Sequence, residues 1–350
     1  MSLTQKYRPQ IFEDVIGQRI AVDTLTGLLD KKLPPTLLLC GPHAVGKTTL
    51  ARILALRVNC SKPQGTNPCG KCESCKEEHH PDIHELNAAE ERGIETIRRL
   101  QDISRLAPTF KKKIHILDEC HALTPQAYQA SLKLFEEPPK SAHFILVTTN
   151  PEKMPNTILS RCSMIRLKPI SSAVLGKWLV KIAKKEGIAL EEEQGTFLAS
   201  ASGGYPREAL NMLEQLLALP SKKGVIKDLD RVMQKVTESA PHKTTLRFIQ
   251  AVLKYDAKGA FGVAQETDQS SEQLLAAAVD MLQNLLLFSL DKSMVDTFQQ
   301  QQLSTLGKVS YSGAGELLKI FGKYLYQAKT YLISADVALC LAVVDAIPPE

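Results

Sequence analysis

The stretch "TLLLCGPHAVGKTTLARI", residues 36–53, decides how the chain is read. "TLLLC" reads as a buried strand, a glycine-framed turn follows it, and an apolar, helix-forming run follows the turn. Gly41-Pro42-His43-Ala44-Val45-Gly46-Lys47-Thr48 fits the pattern G-x-x-x-x-G-K-[ST]. The glycines let backbone N–H groups turn inward around a phosphate. Lys47 can reach the β and γ phosphates, and Thr48 can ligate Mg²⁺. The helix that starts here points its positive end at the anion. The bland alternative is a glycine turn without function. The strand before and the helix after are the context that phosphate binding needs, so ATP is expected at residues Gly41 to Thr49.

Hydrolysis needs a second, acidic element, and "KIHILDE" (113–119) supplies it. Apolar residues run up to Asp118 and Glu119 at the end of a strand, where the open edge of a parallel sheet faces ligand. Asp118 is expected in the magnesium shell beside Thr48. Glu119 is expected to orient or deprotonate the attacking water. "VTTN" closes a later strand, so Thr149 and Asn150 are candidates to touch the γ-phosphate or that water. Arg161, in Ser160-Arg161-Cys162, and Arg207, in Gly204-Tyr205-Pro206-Arg207, offer permanent planar charge for phosphate oxygens. A lone arginine after a helix is more often a surface ion pair. The phosphate loop upstream shifts that balance.

Around these motifs, residues 1–169 alternate strand-like runs (36–40, 82–86, 113–118, 143–149) with helix-like stretches (48–58, 94–106, 124–136). That alternation argues for an α/β domain with a mainly parallel sheet. From Ser171 onward almost everything reads as helix. "SSAVLGKWLVKIAKKEG" begins with capping serines and ends at a glycine. A second boundary is expected near Glu238–His242, with helices over 243–345 and loops near Gly259, 268–271 and 310–315. The expected division is therefore 1–169, 170–239 and 240–350. The chain has 350 residues, 44% hydrophobic and 23% charged, with a formal net charge of +5. A mild basic excess permits nucleic-acid binding without demanding it. No secretory signal is read at the start, and "LLAAAVDMLQNLLLFSL" carries Asp280 and reads as buried helix rather than membrane span. A cytoplasmic location is expected.

There, the eight cysteines are thiols or metal ligands rather than disulfides. Cys60, Cys69, Cys72 and Cys75 form C-x8-C-x2-C-x2-C amid Gly65, Pro68 and Gly70. Four thiolates so close suit one tetrahedral, structural Zn²⁺ in a module over 60–80. His79 or His80 replacing one cysteine is the weaker arrangement, and a redox Cys72-x-x-Cys75 lacks a thioredoxin-like setting. Cys40, Cys120, Cys162 and Cys340 lie in apolar or junction contexts and read as inert.

Together these residues resemble one family, the ATPase (gamma/tau) subunit of the bacterial DNA polymerase III clamp loader, an AAA+ protein. The resemblance starts at "KYRPQIFEDVIGQ" (6–18) and runs through the phosphate loop and the zinc knuckle. It continues through "ILDECHALTPQAYQASLKLFEEPP", "VTTNPEKMPNTILSRC" and "GGYPREAL". It is specific over about residues 5–215 and rests on helical character beyond 240. It implies an AAA+ ATPase core, a three-helix lid over 170–239 and an oligomerising collar over 240–350. It puts Tyr7 and Arg8 near the adenine, makes Arg207 a sensor in cis and makes Arg161 a finger on a neighbour's ATP. It implies a pentameric ring with sister subunits, a sliding clamp and primer-template DNA as partners, and no membrane. The loop reads "PHAV" where the family has smaller or more glycine-rich residues. The family's further C-terminal domains are not expected here. A non-hydrolysing sister scaffold or another AAA+ remodeller of DNA junctions is the alternative.

Overall fold

The computed structural model describes residues 1–350 apart from 78, 220, 223–224, 227–240, 268, 296–299, 301–302, 308 and 348–350. In chain order the elements are α1 (Leu3–Lys6), α2 (Arg19–Lys31), β1 (Thr36–Cys40), α3 (Lys47–Asn59), α4 (Glu73–Lys76), β2 (Ile83–Asn87) and α5 (Ile94–Arg105). There follow β3 (Lys113–Asp118), α6 (Pro125–Glu136), β4 (Ala142–Thr148), α7 (Asn156–Leu159), β5 (Ser163–Arg166), α8 (Ser172–Lys185), α9 (Glu192–Ala201) and α10 (Pro206–Leu217). The five strands make one sheet in the order β2-β3-β4-β1-β5. Every pairing in it is parallel.

The register decides what the sheet can present. Cys40 lies opposite both Thr148 and Arg166, and Asn87 lies opposite Asp118. The loops after β1, β3 and β4 therefore leave from the same carboxyl edge, where open parallel sheets bind ligands. The strands can hold that edge because both faces are buried. Leu37 and Leu39 pack with Leu50, Ile53 and Leu54 of α3, while Leu38 faces Leu117, Phe144 and Leu146. A fully buried Leu or Ile contributes about 1.5–3 kcal/mol, so β1 and α3 are anchored well beyond what their lengths alone would support. A polar side chain intrudes without a partner: His115 on β3 is fully buried, and neither ring nitrogen has a hydrogen-bond partner. It stacks between His84 (5.2 Å) and Phe144 (5.0 Å). Burial pushes its pKa down to about 3.

The chain divides into two compact units, residues 1–178 with 204–211, and residues 179–203 with 212–350. The second is mainly helical, with helices Pro241–Leu253, Ala257–Glu266, Ser271–Leu290, Tyr311–Lys329 and Ala335–Ala346. Helix Ser271–Leu290 is long and apolar enough to cross a membrane. Leu274, Leu275, Ala278, Met281, Leu282 and Leu285 on it belong to that unit's own core, as a buried helix would require.

Several sequence expectations need correction. Strand β5 was not anticipated: it has four residues and only Ile165 is buried, too short a pattern to read. Ser221–Lys222 pairs antiparallel with Val225–Ile226, a short exception within the mainly helical stretch expected after Ser171. Gly259 lies in a helix rather than a loop, because Asp256 caps that helix by accepting from the Gly259 N–H at 2.8 Å. Ser310–Gly315 likewise opens a helix, with Ser310 Oγ accepting from the Gly313 N–H at 3.1 Å. The expected boundary at 238–242 falls largely outside the described residues.

Candidate functional site

The phosphate loop begins where β1 ends. Gly41 has φ +147°, and a Cβ there would lie 2.3 Å from the Leu167 carbonyl oxygen, so only glycine fits against the chain leaving β5. Gly46 has φ +100° and precedes the first residue of α3. That is a left-handed conformation which a side chain would strain. Ala44 also turns left-handed, at φ +58°. Gln18 braces the loop from outside, donating to the Val45 carbonyl at 3.3 Å and the Lys168 carbonyl at 2.6 Å.

The loop lines a cavity of about 450 Å³ in the first unit. His43, Ala44, Val45, Gly46, Lys47, Thr48 and Thr49 line it together with Tyr7, Arg8, Asp118, Glu119 and Arg207. Its apolar wall includes Val15, Ile16, Ile170, Trp178 and Leu210. A lining that joins cations and carboxylates to apolar side chains suits a molecule that carries both phosphates and a flat ring. Gly41 and Pro42 take part through their carbonyls, which accept from Lys47 Nζ at 2.8 and 2.7 Å.

The charges are arranged for an anion. Burial lowers the Lys47 pKa, and only Glu119, Asp118 and Cys40 oppose it. Burial also lowers that of Arg8, helped by the neighbouring positive charge of Arg52 and Arg207. Arg8 Nε donates to Thr49 Oγ1 at 3.2 Å. A phosphate placed beside Lys47 would offset its burial penalty.

The acidic pair sits opposite. Thr48 Oγ1 donates to Asp118 Oδ2 at 2.7 Å, and Asp118 Oδ1 accepts from the Glu119 N–H at 2.9 Å. A hydroxyl and a carboxylate in contact are the oxygen pair that a hard divalent cation needs beside phosphate. Glu119 itself has φ +48°. Its carboxylate meets Thr149 Oγ1 (3.1 Å), His121 Nδ1 (3.3 Å) and His43 Nε2 (3.7 Å). Burial lowers the His121 pKa despite the charge of Glu119.

Thr149 thus reaches Glu119 rather than the cavity wall. Asn150 donates its N–H to Thr148 Oγ1 at 3.1 Å. Arg161 lies away from the cavity, with Nε 3.0 Å from Glu136 Oε2 and a guanidinium hydrogen bond to the Thr157 carbonyl at 2.6 Å. The sequence reading missed His121, Gln18 and Trp178. His121 carried a signal, three residues after Asp118 on a strand end, and Gln18 closes the stretch 6–18 without a role of its own, while Trp178 carried none.

A separate cluster forms at Cys60, Cys69, Cys72 and Cys75, whose sulfurs all lie within 4.8 Å of one another. Tetrahedral zinc at about 2.3 Å from each sulfur needs that spacing. Backbone N–H groups of Lys71 and Cys72 point at Cys69 Sγ (3.5 and 3.3 Å) and lower its pKa. His80 is engaged elsewhere, through Ser74 Oγ (2.9 Å) and the Asp82 N–H (3.1 Å), so the donor set is four sulfurs. All eight cysteines are free of disulfides. Cys340 is exposed rather than in an apolar setting.

The family described as DNA polymerase III, delta subunit, matches residues 17–171. The DNA polymerase III subunit tau of Bacillus subtilis is 39% identical over 222 residues, 62% of this chain and 39% of that protein. The gamma/tau subunit of Mycoplasma genitalium is 35% identical over 325 residues, 87% of this chain and 54% of that one. The gamma subunit of Buchnera aphidicola subsp. Baizongia pistaciae is 33% identical over 300 residues, 83% of this chain and 80% of that one. The chain thus spans about half or less of the first two of these relatives. The solved Thermotoga maritima RuvB Holliday junction branch migration motor matches with TM-score 0.54 at 17% identity, over 77% of this chain and 85% of that one. That likeness is one of fold.

Proposed function

The chain belongs to the DNA polymerase III gamma/tau family and has the AAA+ fold, and on that premise we propose that it is an ATP-driven motor subunit of a clamp loader. It would open a sliding clamp and place it on primer-template DNA, in the cytoplasm, within a pentameric ring of related subunits. The observation that carries the reading is the convergence of Lys47, Thr48, Asp118, Glu119 and Arg207 on one cavity. A non-hydrolysing sister scaffold has no need of an intact loop facing an intact acidic pair.

The residues divide the work. The backbone from Gly41 to Thr49 and the ammonium of Lys47 hold the phosphates of ATP. Tyr7 and Arg8 border the end that takes the base. Thr48 and Asp118 would hold Mg²⁺, which neutralises charge growing on the phosphates when bound. Glu119 accepts a proton from the attacking water. As the new phosphorus–oxygen bond forms, the bond to the bridging oxygen breaks and its electron pair leaves with ADP. Arg207 meets the phosphates from the same chain, and Arg161 serves the neighbouring subunit. We assign residues 1–169 to the ATPase core, 170–239 to a lid and 240–350 to an oligomerising collar. Zinc on Cys60, Cys69, Cys72 and Cys75 is structural.

Two variants test this. Lys47→Ala should weaken ATP binding, because its charge on the β and γ phosphates is gone. Glu119→Gln should bind ATP and stall, because the amide keeps the shape and cannot take the proton. Hydrolysis by Glu119→Gln at the wild-type rate would overturn the assignment.

A further inference from the structure

The carboxylate of Glu119 is held more closely than hydrolysis chemistry alone requires. Its backbone is left-handed, at φ +48°, which aims the side chain before any contact is made. One hydrogen-bond donor and one imidazole nitrogen then lie against one oxygen. The Thr149 hydroxyl donates to Oε2 at 3.1 Å. His121 Nδ1 lies 3.3 Å from the same oxygen and 3.1 Å from Thr148 Oγ1. An ionised carboxylate only accepts hydrogen bonds. With its hydrogen on Nδ1, the ring hydrogen-bonds Thr148 Oγ1 and holds Nδ1 at ion-pair distance from Oε2. Thr148 is fully buried on β4, so the imidazole is seated against a fixed wall. The other oxygen, Oε1, has His43 Nε2 at 3.7 Å, beyond a good hydrogen bond, and His43 and Glu119 line the same cavity.

We propose that His121 is a positioning residue for Glu119: with Thr149 it pins Oε2, so that Oε1 is the oxygen presented to the attacking water. The idea rests on the reading of Glu119 as the proton acceptor. His121 is not among the residues lining the cavity and acts through the carboxylate. Fixing one oxygen stops rotation of the carboxylate plane, so the free lone pairs of Oε1 stay aimed into the cavity. Misplacing a catalytic group by about 1 Å can cost about 100-fold in rate, which sets the scale of the effect.

The test uses the full chain assembled with its co-purifying subunits, with ATP as substrate. His121→Ala should lower kcat by about 10- to 100-fold with KM within about twofold, as loss of orientation alone would. His121→Asn, whose amide N–H falls near the Nδ1 position, should stay within about threefold of wild type. In a Glu119→Gln background, adding His121→Ala should change the residual rate by less than about twofold, because residues acting as a unit are not additive. A wild-type rate in His121→Ala, or an undiminished further loss in the Glu119→Gln background, overturns the proposal. If His121→Ala also loses nucleotide binding, Thr149→Val decides. A fall in kcat with nucleotide affinity held supports the pinning of Oε2, and an unchanged kcat overturns it. A wild-type assembly that hydrolyses no ATP would overturn the proposed function as well. Hydrolysis that is indifferent to these changes would overturn this inference alone.

Discussion

Thr48 Oγ1 and Asp118 Oδ2, seventy positions apart in the chain, meet at 2.7 Å. One closes the phosphate loop and the other closes β3, and the parallel register of the sheet brings their strand ends to one edge. Each residue supplies one oxygen from its own motif. On the proposed function, the pair would become a Mg²⁺ site only because the fold superimposes two sequence motifs.

Thr48→Val keeps the shape at that contact and deletes the oxygen. Nucleotide binding without Mg²⁺ should hold, while the Mg²⁺ concentration for half-maximal hydrolysis rises about tenfold, equivalent to about 1.4 kcal/mol. A Mg²⁺ titration of steady-state hydrolysis measures it. An unmoved midpoint would remove Thr48 from the metal shell.

The cysteine cluster gives a prediction independent of nucleotide. Purified protein should hold about one Zn²⁺ per chain. Cys72→Ser should lose the metal and make residues 60–80 susceptible to protease, while the parallel sheet stays folded. Four freely titrating thiols in metal-free, folded protein would reject the site.

His115 makes stability depend on pH. Its folded pKa of about 3 lies below the ordinary 6.5, so the unfolded chain takes up the proton first. The group's contribution is full above pH 6.5 and is lost as pH falls toward 3. The loss amounts to at most about 5 kcal/mol. In His115→Leu, the slope of stability against pH between about 4 and 6 should be shallower by about 1.4 kcal/mol per pH unit. Urea unfolding at a series of pH values checks this, and parallel slopes would count against it.

Arg161 has an ordinary explanation in its partly exposed ion pair with Glu136. Such a pair is worth about 0–1 kcal/mol, so Arg161→Ala should barely change stability. As a finger reaching a neighbouring ATP it should still cost about 10³-fold or more in hydrolysis. Arg161→Ala and Lys47→Ala subunits should each be nearly inactive alone. Mixed assemblies, with composition verified by mass, should partly recover. No recovery would leave Arg161 as a structural residue.

The parts legible in the sequence were those whose chemistry is local. The loop from Gly41 to Thr48 and the four cysteines are each defined by spacing within one short segment. Strands β1, β3 and β4 were legible because both faces are buried and the apolar run is nearly unbroken. β5 was not, since one buried residue in four makes no pattern. Gln18 was hidden because its partners, Val45 and Lys168, are distant in the chain. The left-handed turns at Ala44 and Glu119 leave no trace in residue type, because neither residue favours that conformation. Gly259 and the glycines after Ser310 misled because side-chain caps outweighed their weak helix preference.

The place of β1 in the sheet has a consequence for synthesis on the ribosome. Residues 36–40 emerge early, yet their neighbours in the sheet are residues 142–148 and 163–166. Leu167, whose N–H donates to the Cys40 carbonyl at 2.8 Å, is the contact that closes over Gly41. The whole phosphate-loop motif is thus translated more than a hundred residues before its seat exists, and long-range parallel pairing is slow to form. A nascent chain released before β5 would carry every residue of the motif and hold no nucleotide. On the proposed function, ATP would engage only chains that have been translated past Leu167.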